Sequence, residues 1–520
     1  MMTFEIIYVL LVLVGMVVAL VLDKMRPGMV LFSVVVLFLC ARILTPEEML
    51  EGFSNKGMMT VGLLFLVSEG VRQSGALGHL VKRLLPRKRC SVLKAQLRML
   101  PSIAFISAFL NNTPVVVIFA PIIKRWARSV KVPATYFLIP LSYVTILGGM
   151  CTLIGTSTNL VVHGMILDAG YKGFSMFELG KVGIFIALAG LIYLFAFSKK
   201  LLPDNRPDML KDEDADEEIE DDVHRVEAVL GARFPGVNKT LAHFDFTRHY
   251  GAKVIEIKKR NGQRFTSDFQ DVVMSEGDTL VVMADDSFVP TWGESSVFVM
   301  LVNGTDMEPV PARWRRGLVL SLLILMIIGA TIGEMPLFKK SFPNIQMDMF
   351  FFVAVTTMVM AWAKIFPARK YTKYISWDIL ISIACAFAIS KAMVNSGVAD
   401  MIAGFFVDLS KDYGPHVLMA VLFIITNLFT ELITNNAAAA LSFPLALSIS
   451  NQLGVDPTPF FVVICMAASA SFSTPIGYQT NLIVQGIGNY KFTDFVRVGL
   501  PLNILTFIIS IVLIPIIWPF

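Results

Sequence analysis

The chain contains an internal repeat, and this repeat restricts the fold more than any other sequence feature. The segment IGTSTNLVVHG at Ile154–Gly164 matches IGYQTNLIVQG at Ile476–Gly486, at an offset of 322 positions. Three further matches follow the same order at offsets of 322, 323 and 316: Phe65–Gly75 with Phe387–Gly397, SAFLNNTP at Ser107 with TELITNNA at Thr430, and Glu178–Gly183 with Asp494–Gly499. Four matches in one order predict two halves that are built from the same elements.

Both halves are strongly apolar. The whole chain is 55% hydrophobic and 16% charged, whereas soluble domains carry about 25% charged residues. This composition excludes a soluble enzyme, and apolar stretches that approach the roughly 20 residues needed to cross a bilayer predict membrane helices. We predict ten full spans, five in each half: Phe4–Leu22, Val30–Leu44, Met58–Val71, Ala134–Met150, Val182–Phe197, Gly317–Ile332, Met347–Ile365, Trp377–Val394, Phe460–Phe472 and Phe495–Trp518.

The charges of the connecting loops orient these spans. Lys and Arg cluster in one set of loops, as between Lys82 and Arg89 and between Lys124 and Lys131, and are sparse in the other set. The positive-inside rule therefore predicts that the polar stretch between the halves is cytoplasmic and that both termini are extracytoplasmic. Because each half has an odd number of spans, the second half is inverted relative to the first. Inverted repeats with broken helices are typical of secondary transporters, whose binding site lies between the repeats.

Each half also contains an apolar block that a single helix does not explain. Residues 92–123 and 415–449 carry an Asn pair near the middle, Asn111-Asn112 and Asn435-Asn436, and we predict that they form re-entrant hairpins. At such a tip, free carbonyl oxygens can bind a cation and helix N-termini favour an anion. The alternative is that the polar side chains only hold neighbouring helices together, but their symmetric placement favours a binding site.

A second pair of interruptions lies in the fourth span of each half. These are Gly155–Asn159, which reads GTSTN, and Gly477–Asn481, which reads GYQTN. Gly permits an unwound turn whose carbonyl is free, and hydroxyl and amide side chains then line the gap. The alternative is a helix kink that binds nothing, and the symmetry of the two polar runs again favours a site.

Three ionisable residues lie within the apolar halves. Glu69 and Lys391 occupy equivalent repeat positions, which suggests a pair across the pseudo-symmetry axis, and Glu431 lies just before the second hairpin tip. Ionisable residues inside a membrane are functional candidates by default. A structural salt bridge explains Glu69 and Lys391 equally well.

A polar insert separates the halves. An acidic run within residues 201–222 predicts a solvated linker, and residues 223–302 are predicted to form a small α/β domain. The expected elements are strands at Val226–Leu230, Lys253–Ile257 and Thr279–Met283, a turn at Asn261-Gly262 and a short helix at Thr240–Thr247. The insert contains no catalytic constellation, and we predict that the protein is not an enzyme.

The hairpin tips, the Gly-Thr-x-x-Asn pattern and the repeat together resemble the divalent-anion/sodium symporter family of the wider ion-transporter superfamily. The resemblance covers both membrane halves, about residues 1–200 and 312–520. The insert resembles the C-terminal ligand-binding module of potassium-conductance regulators (TrkA-C), through Val237–Leu241 and Glu276–Leu280. The tips here read Asn-Asn-Thr and Thr-Asn-Asn, and the two loops lack the prolines of the family pattern.

This resemblance implies two sodium sites and one anion site between the hairpin tips. By motif position, the ligands of one sodium would be Ser107, Asn111, Asn112 and Gly155, and those of the other Thr430, Thr434, Asn435 and Gly477. The residues implied to face the anion are Asn112, Thr113, Thr156, Asn435, Asn436 and Tyr478. The family is also dimeric, with a transport domain that moves against a scaffold.

We therefore expect a sodium-driven symporter of a small divalent anion, either sulfate or a di- or tricarboxylate. It would work by alternating access as a homodimer in the cell (inner) membrane. A small molecule or nucleotide is the candidate regulator at the insert, and nucleic acid is not an expected partner. Two alternatives stay open: a cation/proton antiporter that uses Glu431, Glu69 or Lys391, and a membrane sensor that no longer transports.

Overall fold

The structure is a computed structural model of a mostly helical chain. It describes residues 4–22, 24–86, 91–130, 132–203, 223–260, 263–267, 269–285, 288–292, 295, 297–303, 313–335, 347–409 and 414–520. The predicted acidic linker, from residue 204 onward, and the predicted turn at Asn261-Gly262 lie outside these described residues.

The first half is built of helices that follow one another closely along the chain. They are α1 (Phe4–Val21), α2 (Pro27–Cys40), α3 (Pro46–Ser54), α4 (Lys56–Gln73), α5 (Ala76–Leu84), α6 (Val92–Ser107), α7 (Asn112–Ser129), α8 (Thr135–Gly149), α9 (Ser157–Asp168) and α10 (Gly180–Leu201).

The insert has a different character and contains strands. Its elements are β1 (Val223–Leu230), α11 (Phe246–Tyr250), β2 (Lys253–Lys258), β3 (Arg264–Phe265), β4 (Thr279–Asp285), α12 (Phe288–Trp292) and β5 (Phe298–Asn303).

The second half is again helical. Its helices are α13 (Arg313–Glu334), α14 (Met349–Trp362), α15 (Trp377–Asn395), α16 (Val398–Leu409), α17 (Pro415–Leu432), α18 (Asn435–Leu453), α19 (Thr458–Ser469), α20 (Gln479–Gly488) and α21 (Phe492–Ile517).

Every predicted span overlaps one of these helices. Among the described residues, six helices are long and apolar enough to cross a membrane: α1, α10, Trp314–Gly333 within α13, α15, α17 and α21. The helices α2, α8, α14 and α19 are apolar but have only 10–17 residues. For α8 and α19 the reason is plain, because the fourth span of each half is broken and continues as α9 or α20.

The predicted hairpins are pairs of long helices. The arms α6 and α7 have 16 and 18 residues, and α17 and α18 have 18 and 19. The second arms extend to Ser129 and Leu453, beyond the predicted ends at residues 123 and 449. Both turns fall at the Asn pairs, since α7 begins at Asn112 and α18 begins at Asn435.

Three short helices of the two helical halves, α3, α5 and α16, were not predicted from the sequence. They have 9, 9 and 12 residues, which is too few for a membrane span. The start of α3 is fixed by a capping box, in which Thr45 Oγ1 accepts from Glu48 N and the Glu48 carboxylate accepts from Thr45 N at 2.9 Å. Such a signal is local and does not depend on hydrophobic length.

The insert forms a five-stranded sheet in the order β3-β2-β4-β1-β5. All of its strand pairs are antiparallel, and the two helices that accompany it have five residues each. The helix expected at Thr240–Thr247 lies later, at α11, because Asp245 acts as the N-cap and accepts from Arg248 N at 3.0 Å. The described elements of the insert begin at Val223 and end at Asn303.

The hydrophobic core explains how the insert is held. One core runs through both helical halves and includes Val229 and Met300 of the insert. A second, smaller core lies within the insert and is built around Val226, Leu230 and Val282. The sheet therefore packs with its own side chains and also against the helical halves.

Candidate functional site

The first hairpin is attached to the first broken span by polar contacts. The Ser107 hydroxyl, at the end of α6, donates to the carbonyl oxygen of Thr145 on α8 at 2.8 Å. Thr152, inside the break, donates its hydroxyl to the carbonyl oxygen of Ala108. The hairpin tip and the break therefore form one polar unit inside an apolar half.

The second half repeats these contacts with equivalent residues. The Thr430 hydroxyl donates to the carbonyl oxygen of Ala468 at 2.6 Å, and Thr474 donates to the carbonyl oxygen of Glu431 at 3.0 Å. Thr430 and Ala468 each lie 323 positions after their counterparts in the first half, Ser107 and Thr145. The sequence repeat is thus matched by a repeat of side-chain contacts.

Within each break, an Asn and a Thr side chain form hydrogen bonds with the unwound backbone. Asn159 Nδ2 donates to the carbonyl oxygen of Thr152 at 2.9 Å, and Gly155 N donates to Thr152 Oγ1 at 3.1 Å. The equivalent bonds join Asn481 Nδ2 to Thr474 O at 3.1 Å and Gly477 N to Thr474 Oγ1 at 3.3 Å. These side chains satisfy backbone groups that an unwound helix would otherwise leave unpaired in an apolar surrounding.

Gly155 and Gly477 are required by close backbone approach. A Cβ atom on Gly155 would lie 2.5 Å from the carbonyl oxygen of Gly149, and one on Gly477 would overlap the carbonyl oxygen of Thr430. A larger side chain at Gly155 would therefore clash with the end of α8, and one at Gly477 would clash with the end of α17.

The Asn112 side chain lies at the centre of the first cluster. One end of its amide faces Ser107 Oγ at 2.9 Å, Thr145 O at 3.0 Å and Gly155 O at 3.2 Å, and the other end lies 2.6 Å from the Tyr478 hydroxyl. Because carbonyl oxygens only accept, the amide nitrogen belongs at the first end and Asn112 Oδ1 accepts from Tyr478. In the second cluster the Thr430 hydroxyl lies 3.2 Å from Asn435 Oδ1.

The two halves meet at the tips and breaks. The Thr156 hydroxyl lies 3.0 Å from the Tyr478 hydroxyl. Thr113 Oγ1 lies 3.3 Å from Gln479 Oε1, and in the equivalent contact Ser157 Oγ donates to Asn436 Oδ1 at 3.3 Å. Each hairpin tip therefore touches the break of the opposite half.

Asn111 and Thr434 lie at the starts of the second hairpin arms. Both are N-cap residues, of α7 and α18. Thr434 Oγ1 accepts from Ala437 N at 3.4 Å, whereas Asn111 makes no side-chain capping bond. Among the described contacts, neither side chain reaches the oxygen clusters around Ser107 or Thr430.

Sequence reasoning missed Ser142 and the role of the repeated Asn. Ser142 Oγ, on α8, donates to Asn481 Oδ1 at 2.7 Å and lies 2.9 Å from Thr480 Oγ1. Its counterpart in the second half is Cys465, and Asn159 Oδ1 has no hydrogen-bond partner among the described residues. Asn159 and Asn481 were visible in the repeated motif, but Ser142 lies in an apolar run without a local signal.

Glu69, one of the ionisable residues within the apolar halves, does not have the partner that its repeat position suggested. Glu69 does not pair with Lys391; its carboxylate accepts from Arg72 at 2.7 Å and from Gln73 at 2.6 Å. Arg72 lies one helical turn away on the same helix, which makes it the nearer partner. Glu431 Oε1 accepts from Ser473 N at 2.8 Å and from Asn503 Nδ2 at 2.7 Å.

The cluster offers oxygen ligands rather than catalytic groups. No group of three or more His, Cys, Asp or Glu that could hold a metal is found among the described residues. Four groups of this cluster are of the type that binds a hard cation such as sodium: the Ser107 hydroxyl, the Thr145 and Gly155 carbonyls and the Asn112 amide. In transporters, the carbonyl oxygens of unwound backbone bind sodium in this way. With a cation there, the Asn112 amide would turn its oxygen toward it.

Comparison with known proteins finds relatives along most of the chain. The citrate transporter family matches residues 17–452 and 344–519. An uncharacterised transporter of Synechocystis is 29% identical over 558 residues, which cover 91% of this chain and 90% of the relative. Sodium/sulfate cotransporter 1 of Chlamydomonas reinhardtii is 22% identical over 768 residues, covering 92% of this chain and 86% of the relative. A 145-residue match, 28% of each chain, is 27% identical to a sodium-dependent dicarboxylate transporter of Staphylococcus saprophyticus.

Proposed function

The chain belongs to the citrate transporter family, and we propose that it is a sodium-coupled symporter of a small divalent anion. Sulfate and di- or tricarboxylates are the candidate substrates, in line with relatives that are named sodium/sulfate and sodium-dependent dicarboxylate transporters. As a transporter it would work by alternating access between the two sides of the membrane. No enzymatic step is proposed.

The observation that carries this proposal is the pair of equivalent oxygen clusters joined between Thr156 and Tyr478. One sodium ion would bind among Ser107, Asn112 and the carbonyl oxygen of Gly155, and a second among Thr430, Asn435 and Gly477. Asn111 and Thr434 would contribute from the N-caps of the second arms, as the family resemblance implies.

The anion would lie between the clusters, where four helices begin. The helices α7, α9, α18 and α20 start at Asn112, Ser157, Asn435 and Gln479, and contacts between the tips and the breaks join these starts. Helix N-termini carry partial positive charge and free N–H groups, which favour an anion. Neither tip motif contains Arg or Lys, so bound sodium is needed to balance the remaining charge. Thr113, Thr156, Asn436 and Tyr478 supply further donors.

The phenol of Tyr478 favours a small inorganic anion over a longer carboxylate. Its equivalent in the first half is the much smaller Thr156, and its hydroxyl reaches both Thr156 and Asn112. The ring therefore fills space that a threonine would leave open between the tips. A compact tetrahedral anion such as sulfate needs less of that space than a dicarboxylate.

Uptake by purified protein in liposomes tests the proposal. Labelled sulfate and succinate are offered with an inward sodium gradient, with choline replacing sodium in the control. We expect uptake that requires sodium and responds to the membrane potential. Uptake that is equally fast without sodium would refute sodium coupling.

A second candidate, a cation/proton antiporter, rests on Glu431. This buried carboxylate directly follows Thr430 and accepts from the backbone of Ser473 in the second break. A titrating group so close to the site is what proton coupling requires.

We also propose an organisation for the whole chain. Residues 1–200 and 312–520 would form inverted repeats, each with five spans and one hairpin (92–123 and 415–449), in a multi-pass protein of the cell membrane. The acidic linker at 201–222 and a TrkA-C-like domain at 223–302 would be cytoplasmic, as the Lys- and Arg-rich loops favour. Both termini would be extracytoplasmic, the assembly a homodimer, and a small molecule or nucleotide the regulator.

A further inference from the structure

The insert is joined to the first hairpin by a buried cluster of charges. Lys124, on α7, places Nζ 3.5 Å from Glu227 Oε2 on β1 of the insert. The other oxygen of the same carboxylate, Glu227 Oε1, accepts from Lys258 Nζ on β2 at 3.2 Å. The side chains are 8%, 8% and 4% exposed, so the three charges are almost fully removed from water. Glu256, which is also buried, lies 3.9 Å from Lys258 Nζ.

Such a cluster is a poor way to gain stability but a good way to fix a position. Burying charges costs several kcal/mol per ion, and well-packed apolar residues would often hold the surfaces together equally well. A carboxylate shared between two lysines, however, tolerates little displacement before a buried charge loses its partner. Burial alone would raise the pKa of Glu227, but Lys124 and Lys258 outweigh it and lower the pKa to about 2.

The same insert also contacts the helix that follows the second break. Thr279, at the start of β4, faces Gly486 on α20, where an added Cβ would lie 3.2 Å from Thr279 Oγ1. Lys258 and Thr279 share a crevice of about 10 Å³ with Gln485 and Tyr490, which is space for about one water. Among the described residues, Thr279 Oγ1 and Gln485 Oε1 have no hydrogen-bond partner, so a bridging water suits this crevice.

These two helices are the ones that meet at the candidate site. At the start of α7, Asn112 contacts Tyr478, and Thr113 lies 3.3 Å from Gln479 at the start of α20. Lys124 lies about 18 Å further along α7 at 1.5 Å per residue. The helices α7 and α20 are thus joined at one end by site residues and at the other end by the insert.

We infer that the insert is a clamp that sets the relative position of α7 and α20 and thereby the geometry between Asn112 and Tyr478. Lys124 and Glu227 are positioning residues in this arrangement, because they act through α7. A ligand or partner that displaced the insert would change transport without touching the site. The inference rests on the proposed transport function in one respect only, because the expected change in turnover requires that the protein transports sulfate.

The test separates the interface contact from the contact inside the insert. Lys124→Gln removes the cross-interface partner but leaves Glu227 paired with Lys258. Lys124→Arg keeps the charge, and Lys253→Gln removes an exposed lysine from β2 of the same insert. Gly486→Leu drives a side chain into the other contact, against Thr279, and serves as an independent variant if Lys124→Gln does not fold. Sodium-driven sulfate uptake and hydrogen–deuterium exchange are measured on the full-length protein.

We expect Lys124→Gln and Gly486→Leu to lower turnover about two- to thirtyfold, the range of measured long-range couplings, with KM little changed. Amide exchange should rise at Tyr478–Asn481, while Lys124→Arg and Lys253→Gln behave as wild type. The inference would be overturned if Lys124→Gln and Gly486→Leu both kept wild-type amide exchange at Tyr478–Asn481. It would also be overturned if amide exchange rose only within the insert. If the wild type shows no uptake, the proposed function fails, and the exchange measurement still decides whether the clamp exists.

Discussion

The Thr156 hydroxyl lies 3.0 Å from the Tyr478 hydroxyl, and the two residues occupy the same position in the two repeats, 322 residues apart. Equivalent bonds lie in the two halves, from Ser107 to Thr145 O and from Thr430 to Ala468 O. The candidate site is thus the place where the two repeated halves contact each other, and at this position one half has Thr and the other has Tyr.

Replacing Tyr478 should separate the role of its ring from that of its hydroxyl. Tyr478→Phe keeps the ring but leaves Asn112 Oδ1 without its 2.6 Å donor, which costs about 1–3 kcal/mol for a buried group. We expect slower sulfate transport with the preference for sulfate over succinate unchanged. Tyr478→Thr, which copies Thr156, should admit succinate. Competition of unlabelled succinate with labelled sulfate measures this in liposomes. If succinate competes equally in wild type and Tyr478→Thr, the ring does not restrict substrate size.

Removing the amide of Asn112 should weaken sodium binding. Asn112→Ala removes the amide that contacts Ser107, Thr145 O and Tyr478, and it leaves Gly155 O without that donor in a buried cluster. We expect the half-saturating sodium concentration to rise about tenfold, which corresponds to about 1.4 kcal/mol. Asn435→Ala should act similarly, and Asn111→Ala less, because the Asn111 side chain makes no capping bond.

The measurement is sodium-dependent uptake at a fixed, low sulfate concentration. Asn451→Ala, at the exposed far end of α18, is the matched control and should leave the sodium dependence unchanged. An unchanged sodium dependence in both Asn112→Ala and Asn435→Ala would remove these clusters as sodium sites.

The sequence predicts well those features that depend on local residue patterns. The spans follow from hydrophobic length, and the breaks at Gly155 and Gly477 follow from glycine and polar residues inside an apolar run. That Asn112 and Tyr478 share one site was implied only by the family resemblance, because 366 residues separate them and no local pattern joins them.

What sequence reasoning misses depends on distant neighbours. Ser142 contacts Asn481 across 339 positions, and nothing near Ser142 marks it. The suggested Glu69–Lys391 pair was wrong because Arg72 on the same helix is nearer than any partner across the repeat. The sequence identified Lys124 only as one positive charge of a basic loop. Its position opposite Glu227 depends on how the insert packs against α7.

Glu431 distinguishes the two transport mechanisms. Glu431→Gln keeps an oxygen that can accept from Ser473 N but loses the negative charge that also holds Asn503. For a sodium symporter we expect a slower rate with the same sodium requirement and the same pH profile. Uptake measured from pH 6 to pH 8 checks this, with Glu47→Gln at the exposed start of α3 as control. Loss of pH dependence in Glu431→Gln alone would instead favour proton antiport.

The buried carboxylate of Glu227 should make the stability of the protein depend on pH in a defined window. Burial raises its pKa, but Lys124 and Lys258 lower it to about 2 from an ordinary value of 4.5. Because the folded protein binds this proton more weakly than the unfolded chain, the stabilisation is complete above pH 4.5 and is lost as the pH falls toward 2. The full shift corresponds to about 3 kcal/mol in the free energy of unfolding.

Thermal unfolding in detergent, followed between pH 7 and pH 3, measures this effect. The unfolding temperature of the wild type should fall more steeply below pH 4.5 than that of Glu227→Gln, which has no proton to gain at this position. Glu227→Gln itself should be less stable at pH 7, since Lys124 and Lys258 then lose their shared partner. Asp271→Asn, which removes an exposed carboxylate of the insert, should follow the wild type. Parallel curves for wild type and Glu227→Gln would mean that the carboxylate is not held between the two lysines.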